Sequence, residues 1–234
     1  MCGRFVATAT PAQLADYLHV DEVRTEALDA SWNVAPTDPV YAVAESRPEP
    51  DVTGRRLLGS YRWGLVPFWS KDAKGGARMI NARAETLETK FRRTYERRRC
   101  LLPADGFYEW EKREDGTKQP WFVHRADGAP MIFGGLWEVW KPEDAAEDDE
   151  PLRTCSIITT AANDRLTRIH DRMPLVLNPQ DWDRWLDRSI TDPSELRDLL
   201  VPGDPRSFDL YEVSTQVNSV RNNSGELVTP LNPE

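Results

Sequence analysis

RCLLPADGFYEW, at residues 99–110, contains two strand signals in succession and sets the class of fold. Residues 100–104 form a continuous apolar run, which indicates a buried strand. Residues 106–110 continue as an aromatic-rich strand, and the Asp-Gly dipeptide at 115–116 is a hairpin signal. Because residues 121–123 then return as another strand, we predict that this region contains a pair of antiparallel strands.

On either side of this region, short apolar strands alternate with turns and scattered helical segments, and no internal repeat is visible. Thr10 and Pro11 predict a helix start, since Thr caps helices and Pro suits the first helical position. Further helices are predicted over residues 91–99, 161–169, 181–186 and 194–200. We therefore predict an α+β fold, in which a mixed, largely antiparallel curved sheet forms a barrel-like core with peripheral helices.

The domain organisation and the cellular setting follow from composition. No compositional shift marks a boundary, so we predict a single domain over residues 1–234, with the acidic run KPEDAAEDDE at 141–150 as an inserted loop. No apolar run is long enough to span a bilayer, and no secretory leader is visible, so we expect no membrane partner. Three cysteines form no even framework, which indicates a reducing, cytoplasmic setting, and the histidines do not cluster with them, so we expect no metal site.

The net charge of −9 argues against a nucleic-acid partner, but its distribution reverses that conclusion. Residues 54–99 hold 13 basic and 4 acidic residues, a local net charge of +9, whereas residues 141–234 hold 10 basic and 19 acidic residues. A basic region within an acidic chain is compatible with a phosphate-binding face. The alternative is that its arginine-rich helix only presents a solvated face.

Cys2 directly follows Met1, and a residue this small favours removal of the initiator methionine. The mature chain would then begin with Cys2, which would carry an α-amine and a thiol on adjacent carbons. The amine, with an ordinary pKa of about 7.7–8.0, can condense with an aldehyde to a Schiff base, and the sulfur can close a thiazolidine ring. The alternative is an ordinary residue at a frayed terminus.

Glu109 and His170 are candidates for proton transfer. Glu109 lies between aromatic residues on a predicted strand, and desolvation there would raise its pKa. The alternative is that strand alternation turns it towards solvent. His170 stands at a helix-to-strand junction, where a histidine either shuttles protons or has a structural role.

Asn81 and Arg83 follow the basic loop, and both lie on one face if the segment is extended. An Arg fork suits a phosphate, and an Asn amide suits a sugar or carbonyl oxygen. The alternative is a helix cap plus a surface ion pair with Glu85. Beside the same loop, Phe68 and Trp69 are the best candidates for stacking on unpaired bases, although most such aromatics belong to a core.

Nine short motifs occur in an order that resembles one known family, the SOS-response-associated peptidase (SRAP) family of abasic-site-processing proteins that crosslink to DNA. The motifs are MCGRF at 1–5, WNVAPT at 32–37, WGLVPFW at 63–69, INARAET at 80–86, RCLLPADGFYEW at 99–110, GGLW at 134–137, TT at 159–160, HDRMP at 170–174 and VNSVRN at 217–222. They span nearly the whole chain, and the acidic 141–150 run is outside the set.

The resemblance implies a single domain on a curved, barrel-like sheet and a specific chemistry. Met1 would be removed, and Cys2 would attack the ring-opened aldehyde of an abasic site in single-stranded DNA, giving a stable thiazolidine crosslink. Asn81 would hold the opened sugar. Glu109 would assist ring opening and proton transfer, and His170 would take part in Schiff-base chemistry and crosslink reversal.

The resemblance also implies the DNA-binding residues and the partners. Flanking phosphates would be bound by Arg4, Arg83 and Arg172, a further DNA contact would come from Asn33, and Phe68 and Trp69 would wedge against bases. The partner would be single-stranded DNA with abasic sites, no cofactor would be needed, and we expect a monomer that is cytoplasmic and associates with the nucleoid when bound to DNA.

Three other functions remain open at this stage. Cys2 could be the nucleophile of a cysteine (auto)peptidase with His170 and Glu109, and clipping the bond after Met1 is itself a peptide cleavage. The same Schiff base could cleave the strand, as in an abasic-site lyase. A non-enzymatic module that binds single-stranded DNA would survive loss of Cys2, whereas the crosslinking enzyme and the peptidase would not.

Overall fold

The computed structural model describes residues 2–46 and 54–232, in which short strands alternate with a few short helices. The strands are β1 (Phe5–Ala7), β2 (Glu22–Val23), β3 (Ser31–Val34), β4 (Pro39–Glu45), β5 (Arg56–Trp63), β6 (Asn81–Arg83), β7 (Arg99–Ala104), β8 (Gly106–Lys112), β9 (Lys118–Arg125), β10 (Met131–Trp140), β11 (Leu152–Ala161), β12 (Arg172–Pro174) and β13 (Phe208–Glu212). The α-helices are α1 (Pro11–Tyr17), α2 (Leu87–Lys90), α3 (Arg92–Arg97) and α4 (Trp182–Leu186). None of the helices described is long and apolar enough to cross a membrane.

Five strands close on themselves into a small barrel. In the order β5, β4, β7, β10, β11 each strand pairs antiparallel with the next, and β11 then returns to β5 in a parallel pairing of Thr154 with Arg62 and Cys155 with Trp63. β6 continues the line of β5 along β11, so that Asn81 pairs with Ile157. The predicted α+β fold with a mixed, curved, barrel-like sheet is therefore confirmed.

A second antiparallel sheet, in the order β13-β9-β8-β1-β3, packs against the barrel. Phe5 on β1 pairs with Phe107 on β8, and both rings contact the barrel residue Phe133 edge-on, at centroid distances of 6.1 and 6.2 Å. Phe5 also lies 5.0 Å from the ring of Trp63. This packing carries the start of the chain, just before β1, into the junction between the two sheets.

The strand pair predicted from residues 99–123 is present, since β8 and β9 pair antiparallel with Glu109 opposite Trp121. β7 and β8, although consecutive, belong to different sheets. The acidic run at 141–150 forms an exposed loop between β10 and β11. The two strands last pair at Trp140 and Leu152, and the loop connects them beyond that pair.

The helices predicted to start at Thr10 and Pro11 and over residues 91–99 and 181–186 are present as α1, α3 and α4, whereas the segment predicted over 194–200 is a 3-10 helix, Pro193–Leu199. Thr10 begins α1 with a capping box, in which its hydroxyl accepts from the Gln13 backbone N–H. The helix predicted over residues 161–169 is wrong, because Ala161 ends β11 and turns follow it. There the Asn163 side chain accepts hydrogen bonds from the backbone N–H groups of Arg165 and Leu166, at 3.1 and 3.2 Å, as a helix cap does, but the segment that follows forms turns and not a continuous helix.

Candidate functional site

Cys2 is fully buried in the junction between the barrel and the second sheet. Its carbonyl oxygen accepts a hydrogen bond of 2.8 Å from the side-chain amide of Asn81. Its thiol lies 3.8 Å from the carbonyl oxygen of Arg4. Cys2 is therefore not part of a frayed terminus, and that alternative is wrong. Met1 lies outside the described residues.

Asn81 and Arg83 occupy β6, a short extended segment that pairs with β11. Ala82 between them is fully buried and packs into a separate apolar cluster on the other side of the strand. Asn81 and Arg83 therefore share the opposite face, as predicted for an extended segment. Arg83 directly precedes the short 3-10 helix Ala84–Thr86, but its side chain makes no capping hydrogen bond.

Glu109 lies on β8 and is only 2% exposed, so it does not point to solvent. It shares an inward-facing position with Phe107, two residues earlier, which packs in the main core. Burial raises the pKa of the Cys2 thiol well above its ordinary value, and the negative charge of Glu109 raises it further. The carboxylate thus lies within electrostatic reach of the thiol, and Cys2, Asn81 and Glu109 meet in one place.

His170 lies in the turn that precedes β12. Its Nδ1 lies 3.0 Å from the donating backbone N–H of Arg172 and 2.9 Å from a carboxylate oxygen of Asp171. These contacts fix the ring through Nδ1, and Nε2 points away from them. Since β12 and β6 both pair with the end of β11, His170 stands at the same end of the barrel as Asn81.

Arg4 is held by protein contacts on one side of its guanidinium. Its Nη1 donates to Asn33 Oδ1 at 2.7 Å and to the carbonyl oxygen of Val217 at 2.8 Å. Asn33 is 3% exposed, and its Nδ2 donates to the carbonyl oxygens of Val217, Ser219 and Asn222. Asn33 thus ties Arg4 to the segment at 217–222, an organising role that sequence reasoning missed.

Arg83 and Arg172 differ in their surroundings. Arg83 is exposed at the end of β6. Arg172 is 8% exposed, and its guanidinium forms a fork with Glu85, at 2.6 and 2.9 Å, and donates to the carbonyl oxygen of Thr159 at 2.6 Å. Glu85 therefore pairs with Arg172. Direct DNA contacts by Arg172 and Asn33 stay predictions, because both side chains are buried and engaged in this arrangement.

Phe68 and Trp69 form an exposed aromatic pair, with 47% and 72% of their surface accessible. The guanidinium of Arg93 lies over the Phe68 ring, 3.9 Å from its centroid. Trp63, by contrast, is fully buried, and its indole N–H donates to the carbonyl oxygen of Ile80. The pair is thus a surface feature next to cationic side chains, whereas Trp63 belongs to the core.

The arrangement can carry out carbonyl chemistry at Cys2. The residue is positioned through its carbonyl by Asn81, and Glu109 supplies a buried carboxylate that can exchange protons. Among the residues that the structure describes, no cluster of three or more His, Cys, Asp and Glu side chains is arranged to hold a metal ion.

The fold, a small barrel covered by a second sheet, is shared with a protein of known crystal structure from Bacteroides thetaiotaomicron. The two superpose with a TM-score of 0.82, covering 98% of this chain and 99% of that one, and at 24% identity the likeness concerns the fold alone. The chain belongs to the SRAP family, since the family model "SOS response associated peptidase (SRAP)" matches residues 1–220.

Two relatives of similar length carry the same descriptive name. The abasic site processing protein YoqW of Bacillus subtilis is 40% identical over 231 residues, which cover 97% of this chain and 99% of the relative. The abasic site processing protein YedK of Escherichia coli is 32% identical over 240 residues, covering 99% and 100%. The likeness to both therefore extends over the full length of the described fold.

Proposed function

We propose that this chain processes abasic sites in single-stranded DNA by forming a covalent thiazolidine crosslink through Cys2, once Met1 has been removed. The observation that carries the proposal is the buried placement of Cys2, with its carbonyl bound by Asn81 and its thiol within electrostatic reach of the buried Glu109. The relatives named abasic site processing proteins support the same reaction class.

The reaction balances in two bond-forming steps. The Cys2 α-amine adds to the C1′ aldehyde of the ring-opened abasic sugar, and loss of one water gives an iminium ion. The Cys2 sulfur then attacks the same carbon as its proton leaves, which closes the five-membered ring. No oxidant, reductant or cofactor is consumed.

Glu109 and His170 would move the protons that these steps need. An abasic sugar is mostly a closed hemiacetal, so an acid or base must open it before the amine can react. Because burial and Glu109 keep the Cys2 thiol protonated near neutral pH, its proton needs an acceptor at ring closure. The Glu109 carboxylate is the nearby group of the correct charge, and Asn81 would hold both Cys2 and the sugar in place.

DNA binding would rest on phosphate contacts and stacking. Arg83 is exposed beside Asn81, and Arg4 lies two residues from Cys2, so both can reach phosphates that flank the lesion. Arg172 would bind a phosphate by breaking its ion pair with Glu85. Asn33 would contribute to DNA binding indirectly, by holding the guanidinium of Arg4 in place. Phe68 and Trp69 offer exposed rings on which unpaired bases can stack.

The test is a denaturing gel after incubation with a single-stranded oligonucleotide that carries one abasic site. We expect a shifted band for the wild-type protein and none for Cys2→Ala. An oligonucleotide whose aldehyde is capped with methoxyamine should give no band with either. A wild-type band that persists in Cys2→Ala would contradict the thiazolidine, and absence of any band would contradict crosslinking altogether.

Two further activities of the same site are proposed with it. Removal of Met1 would be an autopeptidase step, and strand cleavage at the Schiff base would be a lyase step. Cys2→Ala keeps an α-amine but lacks the sulfur, so borohydride trapping of this variant on abasic DNA separates the Schiff base from ring closure.

A further inference from the structure

The barrel contains a pocket of about 270 Å³ at the end opposite to Cys2. The two ends are distinguished along β11, since Asn81 pairs with Ile157 near its end, whereas Arg153 lies at its start. The pocket is lined by inward-facing positions of four barrel strands, namely Ala44 on β4, Gly59 and Tyr61 on β5, Trp137 on β10 and Arg153 on β11.

The pocket is open because small residues occupy the inward positions of two strands. The interior of a small barrel is normally filled by its side chains. Here the inward positions of β4 and β5 at this end are occupied by Ala44 and Gly59, while Trp63 fills the equivalent position deeper in the barrel. The lumen is therefore packed at the Cys2 end and open at the other.

The floor of the pocket is aromatic. The rings of Tyr61 and Trp137 meet edge to face, with centroids 5.9 Å apart. Tyr61 is 5% exposed and is fixed by the core, so the floor is rigid. Such a surface suits a flat, aromatic ligand.

The rim of the pocket is cationic. Three arginines, Arg24, Arg153 and Arg188, line the pocket, and among its described lining residues only Glu45 carries a carboxylate. Glu22 binds Arg24 through both carboxylate oxygens, at 2.6 and 3.1 Å, so that the charge of Arg24 is compensated.

Arg153 differs from Arg24 in having no compensating partner among the residues that the structure describes. Among residues 2–46 and 54–232, no hydrogen bond or ion pair holds its guanidinium. A Cβ placed on Gly59 would lie 3.2 Å from the Tyr61 ring and 3.7 Å from Arg153 Nη1, so the guanidinium and the Tyr61 ring both lie beside Gly59. An arginine beside aromatic rings is suited to a ligand that joins a planar ring to a phosphate.

We propose that this pocket binds a nucleoside monophosphate, with the base against Tyr61 and Trp137 and the phosphate on Arg153. The volume admits one nucleotide and no longer strand. The site is separate from the crosslinking chemistry, because it lies at the other end of the barrel.

Isothermal titration calorimetry with dAMP tests the proposal on the full chain. We expect saturable binding by the wild-type protein, and weaker binding of both deoxyadenosine and inorganic phosphate, because each half-ligand lacks one set of contacts. Arg153→Ala should weaken dAMP binding about tenfold or more, since a charge-assisted fork is lost. The matched control is Arg206→Ala, an exposed arginine paired with Asp204 elsewhere on the surface.

A second variant tests whether the ligand needs the volume of the pocket, as Arg153→Ala tests whether it needs the charge. Ala44→Leu fills the pocket and should abolish dAMP binding, while adduct formation on abasic DNA, measured in parallel, reports that the variant is folded. A 5′-phosphorylated oligonucleotide that competes with dAMP would identify a strand end as the source of the nucleotide. Absence of dAMP binding at millimolar concentration, or dAMP binding that Arg153→Ala leaves unchanged, would overturn the proposal.

Discussion

The side-chain amide of Asn81 donates a 2.8 Å hydrogen bond to the main-chain carbonyl of Cys2, across 79 positions of sequence. The bond joins β6, an edge of the barrel, to the residue that carries both proposed nucleophiles. It therefore fixes the position of Cys2 by a contact to the main chain and leaves the amine and the thiol available for reaction.

Asn81→Ala should slow adduct formation on abasic DNA by at least about tenfold, because misplacing a reacting group is costly to rate. Asn81 is only half-buried, so we expect the melting temperature to change little. Single-turnover gel kinetics and thermal unfolding measure the two effects. Asn178→Ala, an exposed asparagine far along the chain, is the control. An unchanged rate in Asn81→Ala would show that the hydrogen bond does not position Cys2.

Alkaline pH should destabilise the fold through its buried thiols. Burial raises the pKa of Cys2, Cys100 and Cys155 above the ordinary value. Each thiol ionises in the unfolded chain from about pH 8.5 upwards but stays protonated in the folded protein. Stability is therefore fully present below that pH and is lost as the pH rises, by about 1.4 kcal/mol per pH unit for each thiol.

The slope of the unfolding free energy against pH, taken from urea unfolding at pH 8 to 10.5, measures this effect. Cys155→Ala should reduce the slope by the contribution of one thiol, whatever its cost in absolute stability. Ser156→Ala, at a buried neighbouring position that does not titrate in this range, should leave the slope unchanged. Equal slopes in all three proteins would contradict the role of the thiols.

The Arg172–Glu85 pair offers a test of how DNA is bound. If Arg172 reaches a phosphate by leaving Glu85, then Glu85→Gln removes a competing charge, and we expect several-fold tighter binding of single-stranded DNA. Arg172→Gln should cancel that gain in the double variant. Fluorescence anisotropy with Cys2→Ala as the background measures affinity without crosslinking. A gain that survives Arg172→Gln would assign the effect to general charge rather than to this arginine.

Trp69→Ala should weaken binding of single-stranded DNA by roughly 5- to 150-fold, since stacking on one base contributes about 1–3 kcal/mol. Because Trp69 is 72% exposed, its removal should leave the melting temperature unchanged. Leu231→Ala, an apolar side chain 47% exposed elsewhere, controls for loss of surface area. Equal affinities for the two variants would place the stacking surface elsewhere.

The sequence predicted the features that depend on neighbouring residues. Thr10 and Pro11 carry a cap signal, and α1 begins there. The pair β8–β9 follows from the Asp-Gly turn between two aromatic strands. The helix predicted at 161–169 is wrong because β11 extends to Ala161 and Asn163 caps only a run of turns, an outcome that apolar spacing does not reveal.

Long-range pairings could not be read from the sequence. The parallel return of β11 to β5 closes the barrel, and it joins residues more than ninety positions apart through backbone groups that every residue carries. The same holds for Arg172, whose buried partner Glu85 is 87 positions away. A motif identifies such an arginine as a candidate for DNA contact, but only the fold shows that its guanidinium is already paired with a carboxylate.

Intact-protein mass spectrometry on abasic DNA shows whether Cys2, as a mature N-terminus, forms a thiazolidine. We expect a chain without Met1 and an adduct whose mass is the sum of this chain and the oligonucleotide less one water. Borohydride should not change that mass, because a closed thiazolidine has no imine to reduce. A chain that retains Met1, or an adduct that gains two hydrogens on reduction, would contradict the account.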